Sequence, residues 1–580
     1  MPRRFVSVGD DLTLPDDVIV ADGNLPARLS DGQLSATILD KIKTDSVPRW
    51  KASTAYSAGD KVLNPSGDIV SAKANFTSGA SYNAANWSGS PSYLQVSEGP
   101  YPVSRENVDL TGATDSTAGM TAAFAKLPAG GGGAILIPPG SRIKHAGLSI
   151  SGKSGFSIIG DGAELRATTT TTPYLQFLNC SDFQVKGVMS GGQSATTRQG
   201  PTRGFSFEHC SDFQVDNISA RDTEGVGVYL EFCSDGQFGN VKIRNTYADG
   251  MHMTRGTKRI QVNGVQARET GDDAVAVVSY NTNGDEICSD ITVMNANSYH
   301  SKSRGLACVG GQRIRYIGGS VVQPKNAGVY IAQESSYSTY GVTDALIQGI
   351  DIQEANTYDT PTINYGGVHI AASTKSLINN VRILDCVVRA SAWRSMFLSG
   401  TDITLGRNRI YGGTDGINSD NIHNLSLIGN YIYGTAQWGM FLGTLGTGFL
   451  NVIDNIIEEC NTASVAGADA IYTGAASYAG GGIINQNTII DASSRLEQGI
   501  QAMSTGLIIG TNQLNNRPMS VPATASELRM GAKVRVDGGF GLGKTGQPRQ
   551  TVPAAATDLT TAIALANALR TNEITFGFAQ

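Results

Sequence analysis

The chain has 580 residues, 70 of them glycine, and only 16% of its residues are charged, well below the roughly 25% of ordinary globular proteins. Forty-four Lys and Arg against 50 Asp and Glu leave a net charge of −6, which argues against the basic stripe of a nucleic-acid binder. A hydrophobic content of 40% supports a buried core rather than disorder, no apolar run reaches the ~18 residues of a membrane span, and glycine lacks the three-residue period of collagen.

Residues 1–45 open with MPRRFVSVGDDLTLPDD, two arginines with no apolar segment behind them, so no secretory signal is expected. Ser30 and Gln33 form a capping box for a helix predicted over 31–43. The phrase LPARLS (Leu25 to Ser30) before a short helix resembles N-terminal segments of tail proteins from phages of actinobacteria. That resemblance implies a virion-attachment and trimerisation segment.

Residues 46–100 contain Trp50, Tyr56, Gly59, Val62 and a closing Trp87. Their spacing resembles the small chitin-binding type of carbohydrate-binding module, which implies a compact β module. Under that resemblance Trp50, Tyr56 and Trp87 would offer ring faces to sugars. The alternative is that the same rings form the module's core. Val70 stands where the family has a second-strand aromatic.

Residues 101–164 read as the entry to a longer element. Ser116 to Leu127 predicts an amphipathic helix with Met120, Ala123, Phe124 and Leu127 on one face. Pro128 and Gly130 to Gly133 end it, and Ile135 to Ile137 form a strand that stops at Pro138 and Pro139. This order resembles the start of the pectate-lyase-like superfamily, phage tailspikes included, where a helix plugs the first rung.

Residues 165–520 are a repeat. LNCSDFQV, EHCSDFQV, EFCSDGQF and CSDITV place cysteines at 180, 210, 233 and 288. Later the setting LxIxxNxI recurs around Asn408, Asn430, Asn455, Asn487 and Asn512. Alternating apolar residues mark strands, with Gly, Asn, Asp and Ser turns between them and no helical pattern. A unit of ~22 residues predicts an all-β fold, a right-handed parallel β-helix of about 13 rungs with Cys and Asn ladders inside. Seven cysteines, four of them at one repeat position, predict buried thiols rather than disulfides or a zinc site.

Residues 521–580 end in a helix predicted over 559–569 with Asp558 as N-cap. Its apolar face predicts burial against a partner chain, and the resemblance to tailspikes implies that this is a C-terminal trimerisation segment of a homotrimer.

One stretch, Ala248 to Val277, carries the chemistry. It resembles the polygalacturonase group of glycoside hydrolases, with Asp249 in a modified first block and Gly271-Asp272-Asp273 intact in the second. The 23 residues from Asp249 to Asp272 are one rung, so three carboxylates would meet on one face. The resemblance implies Asp272 as general acid, with Asp249 and Asp273 holding the water of an inverting hydrolysis. Carboxyls ~6.5–9.5 Å apart are expected for that geometry. His252, Arg255, Arg304 and Tyr330 are candidate substrate contacts, with a structural hydrogen-bonder as the default reading of His252 and a solvated rung edge as that of Arg255. The family's Gly-His-Gly is replaced by Arg304-Gly305, and its Arg-x-Lys by Tyr330-Ile331-Ala332, which disfavours polygalacturonate.

The expectation is a phage tailspike, located in the virion tail with other tail proteins, that binds and hydrolyses a host surface polysaccharide without a cofactor. Three alternatives accompany it. One is a non-catalytic receptor-binding or structural fibre. Another is a Ca²⁺-dependent lyase with Arg304 as base. The last is a secreted glycosidase.

Overall fold

The computed structural model describes residues 50–520 apart from 59, 64–68, 82, 90–99, 129–130, 193–196, 283, 359–363, 444–445, 475–477, 479, 505–506, 516 and 518. The helices expected over 31–43 and 559–569, and with them segments 1–45 and 521–580, lie outside the described residues. Contacts divide the chain into two units, 1–99 and 100–580.

The first unit holds two small antiparallel sheets. Ala55–Tyr56 pairs with Phe76–Thr77, and Lys61–Leu63, Ile69–Ala72 and Trp87–Gly89 form the other. Tyr56, Val62, Val70, Ala72 and Trp87 are its core, with Trp50 and Phe76 packed on them. The Tyr56 and Trp87 rings meet edge to face at 4.9 Å, and Phe76 closes on Trp87 at 5.2 Å. Trp87 is 4% and Tyr56 8% exposed. This corrects the sugar-binding expectation for Tyr56 and Trp87. A module this small has few large side chains to bury, so its aromatics go inward, and Trp50 packs on them half-buried.

The second unit is a right-handed parallel β-helix in which 38 strands form one continuous ladder. Each rung contributes strands to three faces. On the first face one inward position runs from Ile135 through Ile158, Val185, Val215, Phe238, Val262, Val293, Tyr316, Ile347, Ile383, Leu405, Leu427, Val452, Ile484 and Ile509. Thirteen of these follow residue 165, the number the period anticipates. Every one is buried, worth about 1.5–3 kcal/mol each for the aliphatics.

Helix α1 (Thr117–Ala125) closes the N-terminal end with Met120, Ala123 and Phe124 buried, as its apolar face requires. Inside the early rungs Phe156, Phe183 and Phe213 stack in register, with neighbouring rings 5.0 and 5.3 Å apart. The interior ladders follow the repeat phrases. Cys180, Cys210 and Cys233 stand on successive rungs and each thiol lies against a main-chain carbonyl of the rung before. Thr257 takes the next place, before Cys288. All seven cysteines are free and buried.

From Cys386 onward the ladder changes residue type. The Cys386 amide donates to Asn408 Oδ1, and Asn408, Asn430, Asn455 and Asn487 each donate from both backbone N and Nδ2 to the next asparagine's Oδ1, ending at Asn512. Each buried amide is thereby satisfied across rungs.

Candidate functional site

The site lies at the turns between the second and third faces. Strand Ser234–Thr246 leads through 247–250 to Met251–Thr254, and Lys258–Arg268 leads through 269–274 to Val275–Val278. Register pairs Met251 with Val275 and Val275 with Leu306, so Asp249, Asp273 and Arg304 occupy one column on three successive rungs. Asp272 stands one residue aside. The column partner of Asp249 is therefore Asp273 rather than Asp272.

Glycine makes this packing possible through close approach. A Cβ on Gly271 would lie 2.4 Å from the Tyr247 backbone, and one on Gly250 would lie 2.5 Å from the Ala274 carbonyl. The Gly in the Gly-Asp-Asp block thus lets adjacent turns nest.

One oxygen from each of Asp249, Asp272 and Asp273 lies within 4.8 Å of the others. That is tighter than the separation anticipated for an inverting pair. Asp249 accepts from the Asp273 amide at 2.9 Å and from His252 Nδ1 at 2.6 Å. Asp273 accepts from the Arg304 amide at 3.0 Å and from Arg304 Nη2 at 2.8 Å. Asp272 accepts from Arg198 Nη1 at 3.0 Å. The Asp272 side chain is 29% exposed, against 10% for Asp249 and 3% for Asp273.

Three crowded carboxylates cannot ionise alike. Burial opposes ionisation of Asp249, but the His252 hydrogen bond, the Asp273 amide and Arg304 outweigh it and hold Asp249 below the usual range. Burial and the Asp249 charge raise Asp272 against the pull of Arg304 and Arg198. Burial raises Asp273 to about 7, with Arg304 opposing and the two neighbouring carboxylates adding. The trio therefore combines carboxyls of unequal proton affinity, with Asp249 held towards the ionised form and Asp272 and Asp273 held towards the protonated one.

The other predicted residues take supporting places. His252 is buried and stacks on Tyr229 at 5.6 Å, while Arg203 covers the other face of that ring at 3.6 Å. Arg255 pairs with Glu231 at 2.8 Å and lies 3.6 Å from Asp285. Tyr330 is 6% exposed beneath the Arg304 guanidinium, so it supports that arginine instead of offering a free ring. On the outer side of the third face the column Tyr229, His252, Ala276, Ala307, Tyr330 leaves two alanines as a floor between larger residues. Tyr280 and Tyr365 pack against that floor.

Arg198, Glu334 and Tyr280 were not foreseen. Arg198 lies between strands Ser181–Gly191 and Arg203–Glu208, 74 residues before Asp272. The length of the segment between those strands is its only sequence signal. Glu334 faces Arg304 at 3.5 Å from a turn at the far end of its strand.

A base role for Arg304 fails. Asp273, Glu334 and Asp272 together outweigh the effect of burial and raise its affinity for its proton above that of an ordinary guanidinium. Nor do the residues fit Ca²⁺. Among the described residues these aspartates are the one group with ligand geometry, yet the guanidiniums of Arg198 and Arg304 already sit on Asp272 and Asp273 and would repel a divalent cation.

Residues 179–360 match the family model described as alpha-1,3-glucanase catalytic domain D2. No curated protein sequence matches the chain. Among solved structures, the chain is similar to the catalytic domain of a GH87 alpha-1,3-glucanase, solved as an aspartate-to-alanine variant with tetrasaccharides. Identity is 14% over 78% of this chain and 70% of that one, with a TM-score of 0.42. It is similar to PfbA, a surface adhesin of Streptococcus pneumoniae, at 11% identity over 57% of this chain and 91% of that one, TM-score 0.40. A hyperthermoactive exopolygalacturonase from Thermotoga maritima gives 12% identity over 63% and 88%, TM-score 0.37.

Proposed function

We propose that the chain is a glycoside hydrolase that depolymerises a neutral polysaccharide. The observation that carries this reading is the trio Asp249, Asp272 and Asp273, three carboxylates of unequal proton affinity in one patch. The match of residues 179–360 to an alpha-1,3-glucanase catalytic domain supports it.

Asp272 is the proposed general acid. It is the most exposed of the three and its proton affinity is raised. It would protonate the glycosidic oxygen as the bond to the anomeric carbon breaks. A water held by Asp249 and Asp273 would attack that carbon and pass its proton to Asp249. The buried pair makes a poor nucleophile, because each of their oxygens already accepts from the protein. This supports a single displacement with inversion, carried by a trio set closer together than an ordinary inverting pair.

Charge argues for a neutral substrate. The cations around the trio are committed: Arg198 to Asp272, Arg203 to Glu208, Arg255 to Glu231, Lys258 to Glu286 and Arg304 to Asp273. With Asp249, Asp285 and Glu334 also present, eight carboxyls face five cations, and with Asp272 and Asp273 protonated six carboxylates still outnumber the five. An anionic glycan would meet net repulsion.

We further place the chain in a phage tail, as a homotrimer that meets a host surface glycan. The terminal sequences 1–45 and 521–580 support this part. Sedimentation tests the trimer, and labelling of intact virions tests the location.

The enzymatic reading is tested by incubating the protein with neutral glycans, alpha-1,3-glucan first, and measuring new reducing ends. Wild type should release them and Asp272→Asn should not. Binding without release by wild type would instead identify a receptor-binding fibre. New unsaturated ends would identify a lyase.

A further inference from the structure

Among the described residues the large apolar side chain with the greatest exposure is Tyr337, at 65%. It is carried by the short turn Ser335–Tyr337, in the connection 333–341 that follows strand Val329–Ala332. That strand lies one rung past Leu306–Val309, which Arg304 precedes. A lone exposed ring on a protein surface needs no explanation. Tyr337 differs in how firmly its turn is held and in what it stands beside.

The connection is tied within itself and on both sides. Inside it, the Glu334 carbonyl accepts from the amides of Tyr337 and Thr339, each at 3.2 Å, and the Glu334 amide donates to Thr339 Oγ1 at 2.8 Å. Toward earlier rungs, the Asn281 amide donates to the Ser338 carbonyl at 2.7 Å, and the Tyr340 amide donates to the Ser279 carbonyl at 2.9 Å. Toward the next rung, the hydroxyls of Ser335 and Ser373 meet at 3.2 Å and both donate to Gln333 Oε1. A tyrosine has only two side-chain torsions, so on backbone held this well it loses little freedom when a ligand packs on it.

The same connection reaches the carboxylates through one residue. Glu334 lies 3.5 Å from Arg304 Nη1, and the other nitrogens of that guanidinium hold Asp273. Thr339 bridges to Tyr280, which the charges of Asp249, Glu334 and Asp272 all reach. Arg198 holds Asp272, and Tyr337 stands near enough for its charge to act on that same guanidinium. Tyr337 is thus placed at the outer edge of the trio, beside its most exposed member. This edge is open to solvent, with side-chain exposures of 29% for Asp272 and 56% for Arg198.

We propose that Tyr337 is a stacking platform for a neutral sugar, set at the entrance to the patch of Asp249, Asp272 and Asp273. One pyranose ring lies against the phenol face while the neighbouring glycosidic bond meets Asp272. The C–H face of a sugar packs on an aromatic ring while its hydroxyls stay wet, and tyrosine has the matching form, an apolar body with a polar tip. The face of an aromatic ring is electronegative, so the platform disfavours an anionic sugar, in line with the excess of carboxylates around the trio. The proposal rests on the hydrolase reading for the bond that is cut, and on Tyr337 and its turn for the stacking.

The test is calorimetric titration of the full chain carrying Asp272→Asn, so that nothing is hydrolysed, with a panel of neutral glucose oligosaccharides, alpha-1,3-linked ones included. Adding Tyr337→Ala should weaken binding roughly tenfold, whereas Tyr337→Phe and Tyr337→Trp should hold it within about threefold. Tyr433→Ala removes an exposed ring on a later rung and should change nothing. With Asp272 intact, Tyr337→Ala should keep the melting temperature of wild type and lose kcat/KM mainly through KM. Binding lost in Tyr337→Ala, while the chain with Asp272 intact releases no new reducing ends, would uphold the platform and refute hydrolysis. Binding that Tyr337→Ala leaves unchanged would overturn the platform, and release of ends in that case would leave the hydrolase reading standing. An equal loss in Tyr337→Phe and Tyr337→Trp, or no binding to any of the panel, would overturn the platform as well.

Discussion

Arg304 reaches Asp273 from one rung further along the column, with Nη2 2.8 Å from Oδ2 and Nε 2.7 Å from Oδ1. The pair is nearly closed to solvent, at 16% and 3% side-chain exposure, and Tyr330 lies under the guanidinium at 4.6 Å. Removing Arg304 leaves the Asp273 carboxyl buried without its guanidinium donors and Tyr330 without its cover. Arg304→Ala should cost about 3–5 kcal/mol in chemical denaturation and reduce hydrolysis at least ~100-fold. Arg304→Lys restores the charge without the planar fork, so it should recover stability in part and activity less.

Arg198 sets the working pH through Asp272. Its charge and hydrogen bond pull against the burial and the Asp249 charge that raise Asp272. A general acid works only while protonated, so activity should fall as pH rises through the Asp272 pKa. Arg198→Ala removes a lowering influence and should move that alkaline limb of kcat/KM to higher pH. A limb that stays in place or moves down would remove Asp272 from the acid role.

Asp469 predicts a pH trend in stability. It sits 1% exposed, and burial raises it to about 7 from the 3.8 of an ordinary aspartate. The folded state therefore holds this proton where the unfolded chain has released it, and stability is lost as pH rises from about 4 to about 7. Asp469→Asn cannot lose a proton. Its melting temperature should equal wild type near pH 4 and exceed it by pH 8, a gain of a few kcal/mol at most. Equal pH slopes for the two proteins would count against a neutral Asp469.

The asparagine ladder predicts a position-dependent cost. Asn430→Ala deprives the Asn408 amide and Nδ2 of their shared acceptor and takes a donor from Asn455. With buried groups at about 1–3 kcal/mol each, the loss should reach at least ~3 kcal/mol in urea unfolding. Asn512 ends the ladder and serves only Asn487 across it, so Asn512→Ala should cost about half as much.

What could be read from the sequence was whatever repeats. The Cys and Asn phrases report the rung because a parallel ladder stacks identical positions, and the distance from Asp249 to Asp272 and Asp273 gave the cluster for the same reason. Arg198 could not be found this way, since its turn follows no period and crosses several rungs to reach Asp272. Glu334 arrives from the other end of its strand. The aromatics of the first unit carried a family spacing that says nothing about which side of the sheet they face. Tyr56 and Trp87 turned inward because so short a stretch must build its core from them. Tyr330 looked like a free ring in sequence, and only the register shows Arg304 resting on it.

Each rung pairs only with the one before it and the one after it, from Ile135 to Ile509. Stability in such a stack is a sum of nearest-neighbour terms, so a break propagates from where it starts and leaves distant rungs intact. The chain can accordingly lose or duplicate a complete coil beyond Asp415 with Asp249, Asp272 and Asp273 undisturbed. A single inserted residue inside Lys258–Arg268 would instead turn every following side chain of that strand inside out. Whole-coil changes are therefore the route open to lineages that alter the reach of the molecule while keeping its chemistry.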